Sequence, residues 1–209
     1  TAQFRSGKRK EAKAIWERIA KAEPGFIPTR VNLAQIDLME GRRPAARDRL
    51  LAILQDQPEH AGMMLELARM AEQDGELKLA VEWVEKALAV QPKSIPAVVH
   101  LIRLRLNANE VDLALRVAKG AESWAPNDTR IMLAMARVQL ANKRPDIAKA
   151  LLERLSTAAG YNTSRLMQIA NLQVYAGALD AAAWSLKKAV DSDTSHVPAH
   201  VELIATLIR

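Results

Sequence analysis

Cysteine is absent from this 209-residue chain, so it can form no disulfide, no thiolate nucleophile and no cysteine-based metal or iron–sulfur site. Rings and flexible residues are scarce too. Two Phe, two Tyr and eight Gly stand beside abundant Leu, Ala, Arg, Lys and Glu, an all-helical balance without strand signals. No stretch reaches the roughly 18 to 20 uncharged apolar residues that span a bilayer. No charged start followed by a short apolar run marks a secretion signal, and no glycine-rich phosphate loop occurs. The chain opens on Thr1, which reads as an excised segment whose targeting signal lay upstream. What remains is 49% hydrophobic and 26% charged residues, enough apolar material for a folded core. The formal charge of +6 favours anionic partners in general and equally serves solubility.

The positive signal is a period. Pro24, Pro58, Pro92 and Pro126 stand 34 residues apart, and Gly7, Gly41, Gly75 and Gly177 fall in phase with them. Ala12, Ala46, Ala80, Ala114, Ala148 and Ala182 fill a third rung without a gap. Within the unit 61–94, a first helix is predicted over about 60–73, a turn at Asp74-Gly75 and a second helix over about 77–90. Gly75 supplies a left-handed residue that closes the first helix, Ala80 is small where the helices cross, and Pro92 bars continuation. The same register predicts helices near 27–40, 43–56, 95–108, 111–124, 129–142, 145–157, 163–176, 179–192 and 197–208. Pro28, Pro96 and Pro198 open first helices, and Pro44 and Pro145 open second ones, where the missing N–H costs nothing. Asn109 replaces one glycine, and Asn142 beside Lys143 another. The proline rung fails at Gly160 and Thr194, so the array is expected to be least regular near 158–162.

Leu67 to Pro92, LARMAEQDGELKLAVEWVEKALAVQP, resembles the tetratricopeptide repeat, and similar matches cover nearly the whole chain. The resemblance implies an all-α fold, a right-handed α-α superhelix (solenoid) of antiparallel helix pairs. It would be a single array: half repeat 1–26, full repeats 27–60, 61–94, 95–128, 129–162 and 163–196, and half repeat 197–209. The last helix carries Val201, Leu203, Ile204, Leu207 and Ile208 with no partner helix following, so either the natural protein continues, which is the expectation favoured, or another chain covers this edge. Asp37, Ala71, Arg105, Gln139 and Gln173 replace the family's large residue before the turn, so packing there should differ in detail. The lysine and asparagine pairs with which chaperone-binding members clamp a C-terminal carboxylate are aliphatic or Arg here, which speaks against that role.

In such a stack the first helices line a concave groove. Arg69, Arg103 and Arg137 form one row there, flanked in register by Gln35 and Asn171, beside an apolar strip of Val31, Leu65, Val99, Leu133 and Met167. Arg105, Gln139 and Gln173 would extend the polar side. One reading is a groove for an extended peptide, with Arg forks meeting carboxylates or carbonyls and the strip taking side chains. The other is a solvated helix face with the aliphatics packed between neighbouring helices.

No catalytic constellation is present, so the chain is expected to be non-enzymatic and without cofactor. His196 and His200 lie four apart without a third metal ligand at convincing spacing. His60 and His100 have neither nucleophile nor orienting acid patterned beside them. Trp16, Trp83, Trp124 and Trp184 fall on second helices and read as packing. Lys8, Arg9, Lys10, Lys13, Arg42 and Arg43 are basic but lack interleaved aromatics, so nucleic acid is not expected.

Ile169 to Val190, IANLQVYAGALDAAAWSLKKAV, and Asn32 to Leu54, NLAQIDLMEGRRPAARDRLLAIL, resemble bacterial tetratricopeptide lipoproteins associated with PEP-CTERM/exosortase protein sorting and exopolysaccharide production. That resemblance implies an exported scaffold in the periplasm or at the outer membrane, anchored by a lipid outside these residues. The partner would be a protein or peptide, with an anionic polysaccharide held along the basic surface as the alternative.

Overall fold

The computed structural model describes residues 9–209, Arg9 by its backbone alone. The Gly7 rung, the helix end expected before it and Lys8 lie outside the described residues. Twelve α-helices and no strands occur among those residues. They are α1 Arg9–Ala22, α2 Ile27–Met39, α3 Arg43–Asp56, α4 Ala61–Gln73, α5 Leu77–Val90, α6 Ile95–Asn107, α7 Val111–Glu122, α8 Thr129–Ala141, α9 Pro145–Ala158, α10 Thr163–Tyr175, α11 Leu179–Ser192 and α12 Val197–Leu207. The chain divides into two compact units, the first ending at Pro92 and the second running Lys93–Arg209.

In the first unit α2 pairs with α3 and α4 with α5; in the second, α6 with α7, α8 with α9 and α10 with α11. The 34-residue rungs explain why. Ala12, Ala46, Ala80, Ala114, Ala148 and Ala182 are all buried, so the second helix can approach its neighbours closely at each. Prolines occupy the first helical turn of α2, α3, α6, α9 and α12, where each preset φ starts the helix and the absent N–H breaks no bond.

Between the helices of a pair, the chain makes the same left-handed turn five times. Gly41, Gly75, Asn109, Lys143 and Gly177 have φ of 77°, 79°, 59°, 56° and 72°. The following amide donates to the carbonyl of the third-from-last helical residue: Arg42 to Asp37 at 2.8 Å, Glu76 to Ala71 at 2.8 Å, Glu110 to Arg105 at 2.8 Å, Arg144 to Gln139 at 2.9 Å and Ala178 to Gln173 at 2.8 Å. This is a Schellman closure. At the fourth turn the left-handed residue is Lys143 itself, whereas Asn142 caps α8 at φ −80°.

The irregular joint falls at Gly160, one of the two failures of the proline rung; at Thr194 the chain leaves α11 much as at the regular joints. Gln57, Gln91 and Asp193 leave the helical region at φ −133°, −128° and −146°. Ala159 stays helical at φ −65°, and Gly160 then turns the chain at φ 58°. In the second unit α9 and α10 consequently pack more sparsely than α7 on α8 or α11 on α12. Trp124 lies beyond the end of α7, and Trp184 is 51% exposed. The expectation that all four Trp pack on second helices is thus corrected at both, because α7 ends early at Glu122 and the Trp184 position points outward.

A side chain with a Cβ loses roughly 1–2 kcal/mol in the left-handed region. Lys143→Gly is therefore expected to stabilise the chain by about 1 kcal/mol, seen as a higher urea midpoint. An unchanged or lower midpoint would show that Lys143 makes a compensating contact.

Candidate partner-binding surface

The predicted row and strip occupy equivalent places on successive first helices. Gln35 on α2, Arg69 on α4, Arg103 on α6 and Asn171 on α10 are exposed, and Arg137 on α8 is half-buried. Val31, Leu65, Val99, Leu133 and Met167 are every one half-buried. The five aliphatics thus carry both readings at once. Val31 packs on the cluster of Ala34, Leu50, Met63 and Leu67; Leu65 packs on Ala61, Met64 and Ala87; Met167 packs on Ala170, Ala182 and Leu186. The remaining surface of each faces out beside the polar row.

In the second unit α6, which carries Val99 and Arg103, lies beside α8, which carries Leu133 and Arg137, and α10 lies beside α12. In the first unit Arg69 forms an ion pair with Glu66 one turn back. There the same face of α4 begins at Gly62, beside an open cleft of about 650 Å³ lined by Gln57, Pro58, Glu59, His60, Ala61, Gly62 and Gln91. A Cβ on Gly62 would stand 3.2 Å from the His60 ring.

The face also includes a residue that the sequence reading passed over. Tyr175, eight residues after Met167 at the end of α10, is 76% exposed. Its counterparts 34 residues apart are Met39, Gln73, Asn107 and Ala141, so a lone aromatic in that register was the available signal.

Two residues expected to extend the polar side do not. Gln139 and Gln173 are 7% and 1% exposed, and only Arg105 of the three is half-exposed, paired to Glu110 at 2.6 Å. The reason is helical phase. Two residues past the exposed row, the side chain points to the second helix of its own pair. In three of the five hairpins it meets the residue twelve positions on, and there the two complement each other. Asp37, 3% exposed, is held by Arg49 at 2.7 Å and by Arg42 at 2.6 Å. Gln173 accepts a hydrogen bond from Ser185 Oγ at 2.8 Å. Ala71 is answered by Trp83, and the two help line a cavity of about 140 Å³. Gln139 faces the Leu151 position, so its Oε1 finds no hydrogen-bond partner and its Nε2 reaches only Met135 Sδ at 3.6 Å.

Electrostatics follow the same pairs. Burial pushes the Asp37 carboxyl up, but hydrogen bonds and charge from Arg42 and Arg49 outweigh it and hold the group below the usual carboxylate range. The Arg130 side chain holds the Asp128 carboxyl below the usual carboxylate range, and the hydrogen bonds it accepts from the Arg130 and Ile131 amides in capping α8 add to this. Of the basic cluster named from the sequence, Lys13 pairs with Glu40 at 3.3 Å, Arg42 with Asp37 and Glu40, and Arg43 with Asp74 at 2.7 Å, while Arg47 also reaches Asp74 at 2.9 Å. The pairs Lys13–Glu40 and Arg47–Asp74 are one 34-residue rung apart and staple adjacent hairpins. As for the histidines, His196 Nδ1 accepts from the Ala199 amide and caps α12, while His200 Nε2 lies 3.0 Å from the Thr194 carbonyl oxygen.

With this geometry in hand, the kinship is direct. Two family profiles, each for the tetratricopeptide repeat, match residues 31–95 and 105–160. The chain belongs to the tetratricopeptide-repeat family. Solved structures share its fold at low identity. A tetratricopeptide repeat protein from Parabacteroides merdae is 20% identical, with 98% of this chain and 80% of that one covered, at a TM-score of 0.69. A thermophilic member from Thermus thermophilus is 21% identical over 87% of this chain and 99% of its own, at 0.67. YrrB, a tetratricopeptide protein with an unusual peptide-binding site, is 16% identical over 88% and 95%, at 0.58. No curated protein matches the sequence.

Two predictions follow from the inter-helix pairs. Gln139→Met removes an unpaired buried amide and is expected to stabilise by about 1 kcal/mol, whereas Gln173→Met orphans Ser185 Oγ and should cost about 1 kcal/mol or more. Chemical denaturation distinguishes them, and equal effects would show that satisfaction of the amide is not the difference. Because the folded state holds the Asp37 proton more weakly than the unfolded chain, its stabilisation is complete above the ordinary carboxylate range and is lost as pH falls through it. Asp37→Asn should therefore lower the urea midpoint at pH 7, and the gap to the parent should narrow below about pH 4. A gap that is constant with pH would remove the carboxylate from the account.

Proposed function

We propose that this tetratricopeptide chain is a non-enzymatic scaffold that captures an extended segment of a protein partner on the exposed face of its first helices. The observation that carries this is the pairing of Arg103 and Arg137 with the half-buried Val99 and Leu133 on the adjacent helices α6 and α8. An aliphatic shelf beside guanidinium forks gives an extended peptide a place for alternate side chains and charge-assisted bonds for its carbonyls or acidic groups. Gln35, Asn171, Arg69, Leu65, Val31 and Met167 repeat the arrangement on the other first helices. A structurally similar family member, YrrB, has a peptide-binding site, which supports peptide capture as work this fold performs.

We place this scaffold in a bacterial envelope lipoprotein linked to PEP-CTERM/exosortase protein sorting and exopolysaccharide export, in the periplasm or at the outer membrane with a lipid anchor outside these residues. The support is the resemblance of 32–54 and 169–190 to such proteins. The alternative of an anionic polymer held along the whole basic surface is weaker, because Arg42, Arg43, Arg47 and Arg49 are engaged by Asp37 and Asp74.

Selection of a displayed peptide library on the full chain tests the groove. Enriched peptides should alternate aliphatic residues with an acidic one, and Arg103→Glu/Arg137→Glu should weaken their binding by tenfold or more, about 1.4 kcal/mol, with an unchanged melting temperature. Unaltered affinity in that double variant sinks the proposal.

A further inference from the structure

We infer that the cavity between α3, α4 and α5 is a binding site for one small neutral aromatic molecule, a single ring of the size of benzene or toluene. Each helix gives the cavity two residues one turn apart: Arg47 and Leu51 from α3, Leu67 and Ala71 from α4, and Leu79 and Trp83 from α5. All six belong to the first unit. Together they line about 140 Å³.

The space exists because the side chain of Ala71 ends at Cβ. At the same place in other hairpins, the longer side chains of Asp37, Gln139 and Gln173 are buried against the second helix. Trp83 stands across from Ala71 and stays half-buried, so the indole walls the gap and does not close it. The other walls are fixed before any ligand arrives. Leu67 belongs to the buried cluster with Leu50, Ile53 and Met70, and Leu51 and Trp83 pack against that cluster. Lys86 Nζ lies 4.3 Å from the centre of the Trp83 ring, so an ammonium holds one face of the indole from outside.

Volume and lining identify the occupant. An apolar cavity of about 150 Å³ stays dry and admits a benzene ring, and here five of the six lining side chains are leucine, alanine or indole. An ion would lose its water against these walls. The one charged group among them, the Arg47 guanidinium, is already engaged by Asp74 at 2.9 Å and lies 3.9 Å from Glu76. The indole gives an aromatic ring an offset or edge-on contact that an aliphatic of equal volume does not make. Access favours a free molecule over a side chain of a protein partner. The Arg47–Asp74 pair ties α3 to the turn after α4 at the edge of the cavity, and a residue carried on a partner's backbone would have to break and desolvate it. A free ring needs only a brief displacement of the rim. Because it binds the folded unit, it raises stability with its own concentration.

Calorimetric titration of the full chain with toluene, benzoate and biphenyl, together with methyl NMR of the toluene complex, tests this assignment. Toluene is expected to bind saturably and to shift the methyl signals of Leu51, Leu67, Ala71 and Leu79. Benzoate, which is charged, and biphenyl, which exceeds the volume, should each bind about tenfold more weakly or less. Ala71→Val and Ala71→Leu fill the space from its floor and should weaken toluene about tenfold or more, with an equal or higher melting temperature. Arg103→Glu/Arg137→Glu should leave toluene binding intact, which separates this site from the peptide face. No saturable binding by the parent, methyl shifts confined to other residues, equal affinity for benzoate, or full affinity in a folded Ala71→Val chain would each overturn it. Competitive displacement of toluene by a phenylalanine-bearing peptide would overturn it too, by assigning the cavity to a partner's side chain. The methyl shifts of the parent decide the location even where a filled variant folds poorly.

Discussion

One hydrogen bond recurs at every turn between paired helices: the amide after a left-handed residue donates to the carbonyl three from the end of the first helix, at 2.8–2.9 Å in all five described hairpins. It satisfies a carbonyl that the helix terminus would leave open and sends the chain back antiparallel in three residues. Almost everything else is downstream of that bond. It sets the phase of the second helix against the first, so the buried alanine rung meets its neighbours and position i looks across at position i+12. It also separates two adjacent kinds of residue on each first helix. The row of Gln35, Arg69, Arg103, Arg137 and Asn171 faces outward, while the residue two further on is turned into the hairpin.

Inside the hairpins, the position before the turn carries five different solutions to one volume. Asp37 with Arg49 and Arg42 is an ion network, Ala71 with Trp83 moves the bulk to the opposite helix, Gln173 with Ser185 is a hydrogen bond, and Arg105 turns to Glu110. Gln139 is the incomplete one, with a buried carbonyl oxygen unpaired. The Asp37 network is also where ionisation couples to stability, because three hydrogen bonds from two guanidinium groups reach a single buried carboxylate.

The proposed binding surface is a departure laid on this frame. A repeat protein specifies its backbone several times over, so a residue type that appears at one rung only is free of the packing requirement its siblings satisfy. By that reasoning Tyr175 belongs to the first-helix face, whereas Trp83, equally alone in its register, is half-buried beside Ala71 and shows that singularity alone does not free a residue from packing. The aliphatic strip is intermediate: Val31, Leu65 and Met167 pack on buried clusters, and all five members keep part of their surface exposed. Binding there would use a surface that is already rigid, which limits the ordering cost of association.

Most of the architecture was legible in the residues. The proline, glycine and alanine ladders located eleven helices after α1 to within one or two residues at each end, because capping and close approach are local or nearest-neighbour demands that each rung states explicitly. The exposed row was legible for the same reason, since a fixed phase puts equal positions on equal faces. What the linear pattern did not decide was orientation inside the hairpin. Gln139 and Gln173 look as polar as the exposed row beside them, and only the crossing of two helices shows that one is paired and the other stranded. Nor did composition reveal that Lys143 takes the left-handed position in place of Asn142, or that Trp184 stands in water with a lysine between it and Tyr161. Those are decided by which atoms share a volume, and residues 12 to 32 positions apart share it only once the turns have closed.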